Sequence, residues 1–464
     1  MSILSIFQSI VRPIFGEFER EEFKKFLRMG VIFSFIIGVY WTIRTLKNAI
    51  FITLVSASQL PYAKTASLLF LLPVIMLYTK LLDKYSREKI FYILSTFYGV
   101  AALFFGVSFA LTQHLDHATI EGWFSWVLMF IGYGFYLFVE SYGSLMPALF
   151  WAIAADITLP DSAKKGFSLV VAIGQFGGIF GPYFINSLPR RLGFTTNALS
   201  IYLAAAAIFV SLLLVRNFFK KTPSALLASY HGSNEEKEEK QQEKEAGFFE
   251  GLRLLARHKY LLAMFAVISF PEIISTIFDL HFHSLAAQQY SGVHLAEYLG
   301  TYGSAVNMIA FLCLIFGIGN ITRVLGIGTS LFLMPLIYGA AIFGFITFNS
   351  LNFLFMLMAG SKAINYALNG PAIKQLYIPT THDVRFKSQA WMETFGSRGA
   401  KEVGAVFNML LGPLQKSLGV AAGRARHAML GSYFGFSLVV LWIFIALFLG
   451  KKYKTAIDNK KVVC

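Results

Sequence analysis

Two cations lie inside a stretch of sequence that is otherwise apolar enough to cross a membrane. The run from Met29 to Val55 contains Arg44 and Lys47, three residues apart. A charge at the centre of a bilayer costs roughly 2.5–3.5 kcal/mol on insertion scales, so it is expected to face a cavity or a partner. Residues three apart share one face of a helix. This face could therefore bind an anion inside the membrane.

Three further cations lie in apolar stretches of the C-terminal half. Arg398 and Lys401 repeat the Arg-x-x-Lys spacing, and Lys362 lies in the preceding apolar stretch. Arginine can bind a phosphate or carboxylate at two points, whereas lysine supplies a movable point charge. The five cations predict a substrate site for a multiply charged anion.

Acidic residues also occur in the apolar stretches. Glu140, Glu272 and Asp279 could neutralise the cations in internal salt bridges. They could instead pair with the cations when the site is empty and release them when substrate arrives, or carry a coupling proton, and we expect coupling or gating from all three. His281 and His283 leave two interpretations open, ordinary interfacial histidines and proton coupling.

Apolar stretches of membrane-spanning length recur along the whole chain and must position these charges. Of 464 residues, 56% are hydrophobic and 14% are charged, which argues against a soluble protein. Twelve stretches are long enough to span about 30 Å of hydrocarbon as helices. They are 29–55, 61–83, 88–112, 122–152, 166–188, 196–217, 258–285, 295–318, 324–347, 351–377, 390–416 and 428–450. The predicted fold is an all-α membrane protein with twelve transmembrane helices.

One long polar segment divides the twelve stretches into six plus six. It contains the charge run "GSNEEKEEKQQEKEAG" at 232–247, which is typical of a solvated linker. The predicted organisation is an N-terminal segment 1–28, a helical bundle 29–217, a linker 218–257, a second bundle 258–450 and a tail 451–464. In carriers of the major facilitator type, helices one, four, seven and ten line the central cavity. Four of the five charged stretches are the first, fourth, seventh and tenth. This favours a central cavity lined by charged side chains.

The net charge of +15 follows the predicted loops. Lysine and arginine concentrate in alternate loops, such as 81–89 and 163–165, and in the tail at 451–454, whereas the loop at 112–122 carries few or none. By the positive-inside rule, both termini and the linker are cytoplasmic. Membrane topology therefore explains the excess of basic residues without nucleic-acid binding. We expect the protein to lie in a bacterial inner membrane. The segment 1–28 is expected to be an amphipathic helix on the cytoplasmic face, or a disordered tail.

Glycines recur four apart in the fifth apolar stretch. "AIGQFGGIFGP" at 172–182 places Gly174 four before Gly178, and Gly177 four before Gly181. Small residues at this spacing allow a neighbouring helix to approach closely. The pattern predicts close helix packing at this point.

The sequence offers no other recognisable chemistry. It contains no metal-ligand spacing, no phosphate-binding Gly-Lys-Ser loop and no catalytic triad. Cys313 and Cys464 are its two cysteines and leave no disulfide framework. We therefore predict a carrier that is not an enzyme and that uses no cofactor or metal.

Four segments of the chain resemble a known family, in order and at consistent spacing. They are 21–54, around Arg44 and Lys47; "LYTKLLDKYSREKIFY" at 77–92; "FVESYGSLMPALFWAIAADIT" at 138–158; and 361–407, which begins "SKAINYALNGPAIKQLYIP". Together they are similar to the nucleotide transporters of plastids and obligate intracellular bacteria, the ATP/ADP translocase family. The last segment is the most specific of the four.

The resemblance implies roles for particular charges. Lys47 and Lys401 would bind phosphate oxygens, Glu140 and Glu272 would act in coupling or site closure, and Lys362 matches a further family lysine. Because phosphates are then bound by positioned charge, a nucleotide could be exchanged without hydrolysis. Departures at 141–142, 369–370 and 402–403 put the contacts to the base in question.

The expected function is exchange of ATP from outside for ADP from inside, by a monomer in the lipid bilayer. A proton-coupled importer of other nucleotides, NAD or another phosphorylated metabolite is a second possibility. A lipid flippase or a membrane scaffold is a third possibility, from a different functional class. A scaffold would keep its function when the charges of helices one, seven and eleven are removed, and a flippase would present lipid-facing grooves between helices.

Overall fold

The secondary structure is helical throughout the residues that the structure describes. The computed structural model describes residues 18–112, 122–222, 248–315, 321–348, 350–381, 391–392, 396–459 and 462–463. Its helices are α1 (Arg20–Leu54), α2 (Leu60–Lys84), α3 (Arg87–Thr112), α4 (Trp123–Asp156), α5 (Pro160–Arg191), α6 (Ala198–Lys221), α7 (Phe248–Arg257), α8 (Lys259–Gln289), α9 (Gly292–Ile315), α10 (Ile321–Thr347), α11 (Leu351–Ile364), α12 (Gly370–Leu376), α13 (Ser397–Asn408), α14 (Leu411–Leu418) and α15 (Val420–Asp458).

Nine helices within these ranges are long and apolar enough to cross a membrane by length and composition. They are α1 to α6, α8, α10 and α15. Their places match predicted spans one to seven, nine and twelve. The other three predicted spans fall on α9, on the α11–α12 segment and on the α13–α14 segment. An all-helical membrane fold is confirmed, and the count of twelve crossings stays a prediction.

Several helices extend beyond the apolar stretches that predicted them. Helix α1 begins at Arg20, nine residues before the predicted span, and α15 continues to Asp458. Backbone hydrogen bonding continues into charged residues that hydropathy alone assigns to loops, because lysine, arginine and glutamate favour helices. Residues 1–17 and most of the predicted linker lie outside the described residues. The described end of the linker forms α7.

The chain divides into two compact units. Unit 1 comprises Met1–Ser56, Leu69–His231 and Ala287–Met308. In this unit α1 packs against α4, α5 and α6, and α3 packs against α4 and α6. A methyl group added at Gly177 of α5 would lie 1.8 Å from the backbone oxygen of Ser34 on α1. The predicted close packing at the glycine repeat is thereby confirmed.

Unit 2 comprises Ala57–Leu68, Gly232–Ala286 and Ile309–Cys464. Its apolar core includes Met264 of α8, Leu331 and Tyr338 of α10, and Trp442 of α15, all buried. Helix α10 packs along α15 and also contacts α11 and α12. These contacts hold the helices that carry Glu272, Asp279 and Lys362.

Candidate substrate-binding site

In unit 1, Lys47 is bound to an acidic residue of another helix. Its ammonium donates a hydrogen bond to Oε1 of Glu140 on α4, and the two side chains form a salt bridge. The lysine side chain is only 6% exposed. Its Nζ also lies 3.9 Å from the centre of the Tyr136 ring, one helical turn before Glu140. A carboxylate and the electron-rich face of a ring therefore stabilise this buried cation together.

Arg44 lies one turn earlier on α1 in aromatic surroundings. Its guanidinium carbon is 4.8 Å from the centre of the Trp41 ring, and Nη1 donates a hydrogen bond to the Tyr40 hydroxyl at 2.8 Å. Arginine stacks favourably on such rings because its charge is delocalised over a flat group. The Arg-x-x-Lys pair therefore combines an aromatic-packed cation with an ion-paired one.

In unit 2, Lys362 and Asp279 form a two-point contact. The lysine Nζ lies 2.8 Å from Oδ1 and 2.9 Å from Oδ2 of the carboxylate. Asp279 belongs to α8, and Lys362 lies in the last turn of α11. A wider helical turn of the π type, Asn365–Asn369, follows directly. Such turns inside helices are frequent at functional sites.

A looser ion pair joins α8 to α13 in the same unit. Nζ of Lys401 lies 3.5 Å from Oε2 of Glu272, and the lysine side chain is 49% exposed. Glu272 follows Pro271, which removes one backbone hydrogen bond from α8 at this point. Arg398 lies one turn before Lys401 and is partly buried. The neighbouring Glu402 accepts a hydrogen bond from Thr65, which belongs to the same unit.

The structure pairs each predicted acid with one predicted lysine. Glu140 contacts Lys47, Asp279 contacts Lys362 and Glu272 contacts Lys401. The salt-bridge interpretation of the acids thus describes the contacts seen, and it is compatible with release of the lysines on substrate binding. Substrate-binding, coupling and gating roles for these residues stay predictions.

The aromatic partners of the cations were missed by the sequence reasoning, although a signal existed. Tyr40 and Trp41 precede Arg44 by four and three residues, and Tyr136 precedes Glu140 by four. Residues at these spacings are neighbours on a helix surface. An aromatic residue one turn from an intramembrane charge could therefore have been included in the predicted site.

The two histidines of α8 are buried among the helices, and both interpretations of them, as interfacial histidines and as proton-coupling groups, stay predictions. Nε2 of His281 lies 2.8 Å from Nδ1 of His427 on α15. Nδ1 of His283 lies 2.6 Å from the backbone oxygen of Asp279. Both lie within eight residues of the end of α8 at Gln289.

The chain is a multi-pass helical protein whose intramembrane lysines are ion-paired to acids of other helices, and its fold is that of solved membrane carriers. It matches a bacterial homologue of the iron transporter ferroportin with a TM-score of 0.60 at 12% identity, over 93% of this chain and 98% of the other. It matches a nucleoside transporter with a TM-score of 0.60 at 14% identity, over 91% and 99% of the two chains. The architecture is of the major facilitator type.

Sequence comparison then gives the family. Residues 4–453 match the family model described as TLC ATP/ADP transporter, and the chain belongs to this family. Among its relatives are the proteins named ADP,ATP carrier protein 1 of Rickettsia typhi and of Rickettsia prowazekii. Each is 26% identical over 495 residues, which cover 98% of this chain and 98% of the relative. The family resemblance of the four segments is confirmed, and the chain is a multi-pass membrane carrier.

Proposed function

We propose that this protein exchanges ATP for ADP across a bacterial inner membrane by alternating access. The observation that carries the proposal is the set of three lysine–carboxylate pairs inside the helices of a member of this family. Lysine is a strong partner for phosphate oxygens because its charge is compact and its donors are mobile. Lys47, Lys362 and Lys401 bind phosphates in this proposal, with Arg44 and Arg398 beside them.

The pairs supply a physical basis for reversible binding. An unpaired ammonium in an apolar helix is costly, so a carboxylate neutralises each lysine while substrate is absent. A nucleotide brings several anionic oxygens, and these compete with the carboxylate of a pair for its lysine. When the nucleotide leaves, the carboxylates take its place. Substrate is held by charge and geometry without breaking a bond, which makes the protein a carrier and not an enzyme.

The orientation follows from the distribution of charge. Lysine and arginine concentrate at 81–89, 163–165 and 451–454, which lie at or near the ends of α2, α3, α5 and α15. The positive-inside rule puts these segments, and both termini, in the cytoplasm. ATP then enters from the opposite side while ADP leaves. We propose that the carrier works as a monomer.

Counter-exchange in a bacterium without such a carrier tests the proposal. Cells that express the protein are loaded with ADP or depleted of it, and uptake of labelled ATP is measured with and without a protonophore. We expect uptake that depends on internal ADP and survives the protonophore. Absence of nucleotide uptake by well-inserted protein would contradict nucleotide transport. Uptake that ignores internal ADP and collapses with the proton gradient would replace exchange by proton-coupled import.

A further inference from the structure

Helix α9 contacts α5 although the two helices come from different halves of the sequence. Helix α5 lies in the predicted first bundle and α9 in the predicted second bundle. The segment Ala287–Met308, which contains most of α9, nevertheless belongs to unit 1 together with α5. Alternating access moves one bundle of a carrier against the other. A contact between helices of the two predicted bundles is therefore a place where the carrier can open and close.

An ion pair joins the two helices at the end of α5. Nη1 of Arg190, in the last turn of α5, donates a hydrogen bond to Oε2 of Glu297 on α9 at 2.5 Å. The arginine side chain is 53% exposed and the glutamate side chain is 20% exposed. Exposed ion pairs contribute little net stability, because water solvates both charges when they separate. This pair can therefore form and break repeatedly at low cost.

Two glycines of α9 allow close approach beside the ion pair. A methyl group added at Gly300 would lie 2.6 Å from the backbone oxygen of Pro182 on α5. One added at Gly303 would lie 2.6 Å from Cγ2 of Thr45 on α1. The glycines follow Glu297 by three and six residues, so all three share one face of α9. This face meets both α5 and α1.

Buried polar side chains lie along the same contact. Nδ2 of Asn186 on α5 donates a hydrogen bond to Oγ1 of Thr45 at 2.9 Å. Asn307 of α9 lies so close to Gly178 that a methyl group there would be 2.8 Å from its Oδ1. Both asparagines and Thr45 are buried. Water can form hydrogen bonds with these groups when the helices part, so separation costs less than opening an apolar core would.

The proposed orientation puts the ion pair on the outer side of the membrane. Helix α5 begins at Pro160, next to the lysines at 163–165, and ends at Arg191. The positive-inside rule assigns those lysines to the cytoplasm. A helix that crosses the membrane once has its two ends on opposite sides, so Arg190 faces the exterior.

We propose that Arg190, Glu297 and the glycine face of α9 form an outer gate, which closes the external side of the carrier and separates when external nucleotide enters; this deepens the proposed function and rests on it. A methyl group at Gly303 would lie 3.5 Å from Cε3 of Trp41, the residue whose ring packs on Arg44. Movement of α9 away from α1 therefore uncovers the surroundings of a proposed substrate-binding residue.

A reversible cross-link across the contact gives the first test. Cys313 and Cys464 are replaced by serine, and Thr45→Cys is combined with Gly303→Cys. The two Cβ atoms are then 3.9 Å apart, which suits a disulfide. Oxidation with copper phenanthroline should lower ATP uptake about tenfold or more, because a gate that cannot open admits no substrate. Reduction with dithiothreitol should restore uptake.

A second cysteine pair provides the matched control. Leu54→Cys with Gly132→Cys joins α1 to α4, two helices of the same predicted bundle, with Cβ atoms 3.8 Å apart. Oxidation of this pair should leave ATP uptake within about twofold of its reduced form, because the two helices move together. Mass spectrometry of digested protein measures the yield of each disulfide. Full uptake by the completely oxidised Thr45→Cys, Gly303→Cys protein would overturn the gate and leave nucleotide transport intact. Absence of ATP uptake by the wild-type protein would instead reject the proposed function.

Charge reversal tests the ion pair without a cross-link. Ser304→Cys in the same serine background puts a reporter thiol at a buried position of α9, and a maleimide that cannot cross membranes labels it in intact cells. Arg190→Glu should raise the labelling rate about fivefold, because two acids then oppose each other across the contact. Adding Glu297→Arg should return the rate to within about twofold of the starting value. Arg191→Glu makes the same change of charge on the neighbouring exposed residue and should leave the rate unchanged. Equal labelling rates in the Arg190→Glu and Arg191→Glu proteins would overturn the proposal.

Discussion

At the scale of single residues, the three lysines differ in how far they depend on their carboxylates. Lys47 is almost fully enclosed and also packs on Tyr136, whereas half of the Lys401 side chain is accessible and its acid is 3.5 Å away. A desolvated charge loses more when its partner is removed than an exposed one does. Of these two lysines, Lys401 is therefore the less firmly held by its carboxylate and Lys47 the more firmly held.

Neutralising these two lysines separately tests the phosphate assignment. Lys47→Ala and Lys401→Ala should each raise the KM for ATP about tenfold or more, because each removes a charge-assisted contact to phosphate. Membrane insertion should stay normal, as measured by the amount of protein in isolated membranes. Lys451→Ala is the control, since Lys451 is exposed on the tail end of α15. Transport at wild-type rates by both variants would show that the assignment is wrong.

The Lys362–Asp279 pair allows structural and functional roles to be separated. Asp279→Asn should lower the thermal stability of the purified carrier, because it leaves the Lys362 ammonium without its carboxylate. The double variant Asp279→Asn and Lys362→Met removes both charges and should recover most of that stability. Transport should stay lost in the double variant, since no cation remains at this position to bind phosphate.

Recovery of transport by the double variant would contradict a role of this pair in substrate binding. If the double variant recovers transport together with its melting temperature, Lys362 and Asp279 serve the fold alone. The exposed pair Glu21 and Lys24 on α1 provides the comparison, because its removal should change neither property.

The sequence identified the charged residues but could not pair them. The cost of intramembrane charge selects Lys47, Glu140, Asp279 and Lys362 from a single sequence. Which acid meets which lysine depends on how α1 packs on α4 and how α8 packs on α11, and these contacts join residues 93 and 83 positions apart. Hydropathy and helix periodicity contain no information on such distant contacts.

At the scale of helices, the contact between α1 and α5 depends on the absence of a side chain at one position. A methyl group at Gly177 would lie 1.8 Å from the oxygen and 2.7 Å from the carbonyl carbon of Ser34. Backbone atoms cannot rotate away as a flexible side chain can. The two helices would have to separate, and the contacts of α1 that hold Lys47 in place would change with them.

Gly177→Ala should therefore destabilise the carrier, even though it adds only one carbon atom. Overpacking typically costs about 1–3 kcal/mol, and a backbone contact is at the upper end of that range. We expect a lower melting temperature of the purified protein and a reduced yield in membranes. Gly412→Ala should have little effect because a methyl group there meets no atom within 4 Å. Equal melting temperatures for both variants would contradict the close contact.

Hydropathy predicted least well the helical segment that a π-type turn and a proline interrupt. The predicted span 351–377 is interrupted after Ile364 by the π-type turn and resumes as α12, which has Pro371 in its first turn. Proline lacks a backbone donor and clashes with the preceding turn. The Asn-Gly-Pro sequence before Ala372 was a visible signal for this break. Averaged apolar content could not detect it, because the broken segment remains apolar throughout.

At the scale of the whole molecule, the fold by itself does not determine the substrate. Carriers at 12–14% identity share the fold with TM-scores of 0.59–0.60, so the helical arrangement tolerates replacement of most side chains. A shared fold therefore carries no information about the substrate. The family match over residues 4–453 carries that information instead.

Membrane orientation is a property of the whole chain and can be tested with single cysteines. Cys313 and Cys464 are first replaced by serine, which leaves no thiol in the sequence. Ala118→Cys in the weakly charged loop should react in intact cells with a maleimide that cannot cross membranes. Lys240→Cys in the charged linker should react only after permeabilisation, because the excess of lysine and arginine retains that side in the cytoplasm. The reverse pattern would invert the direction of exchange, since ATP would then be taken from the side of the linker.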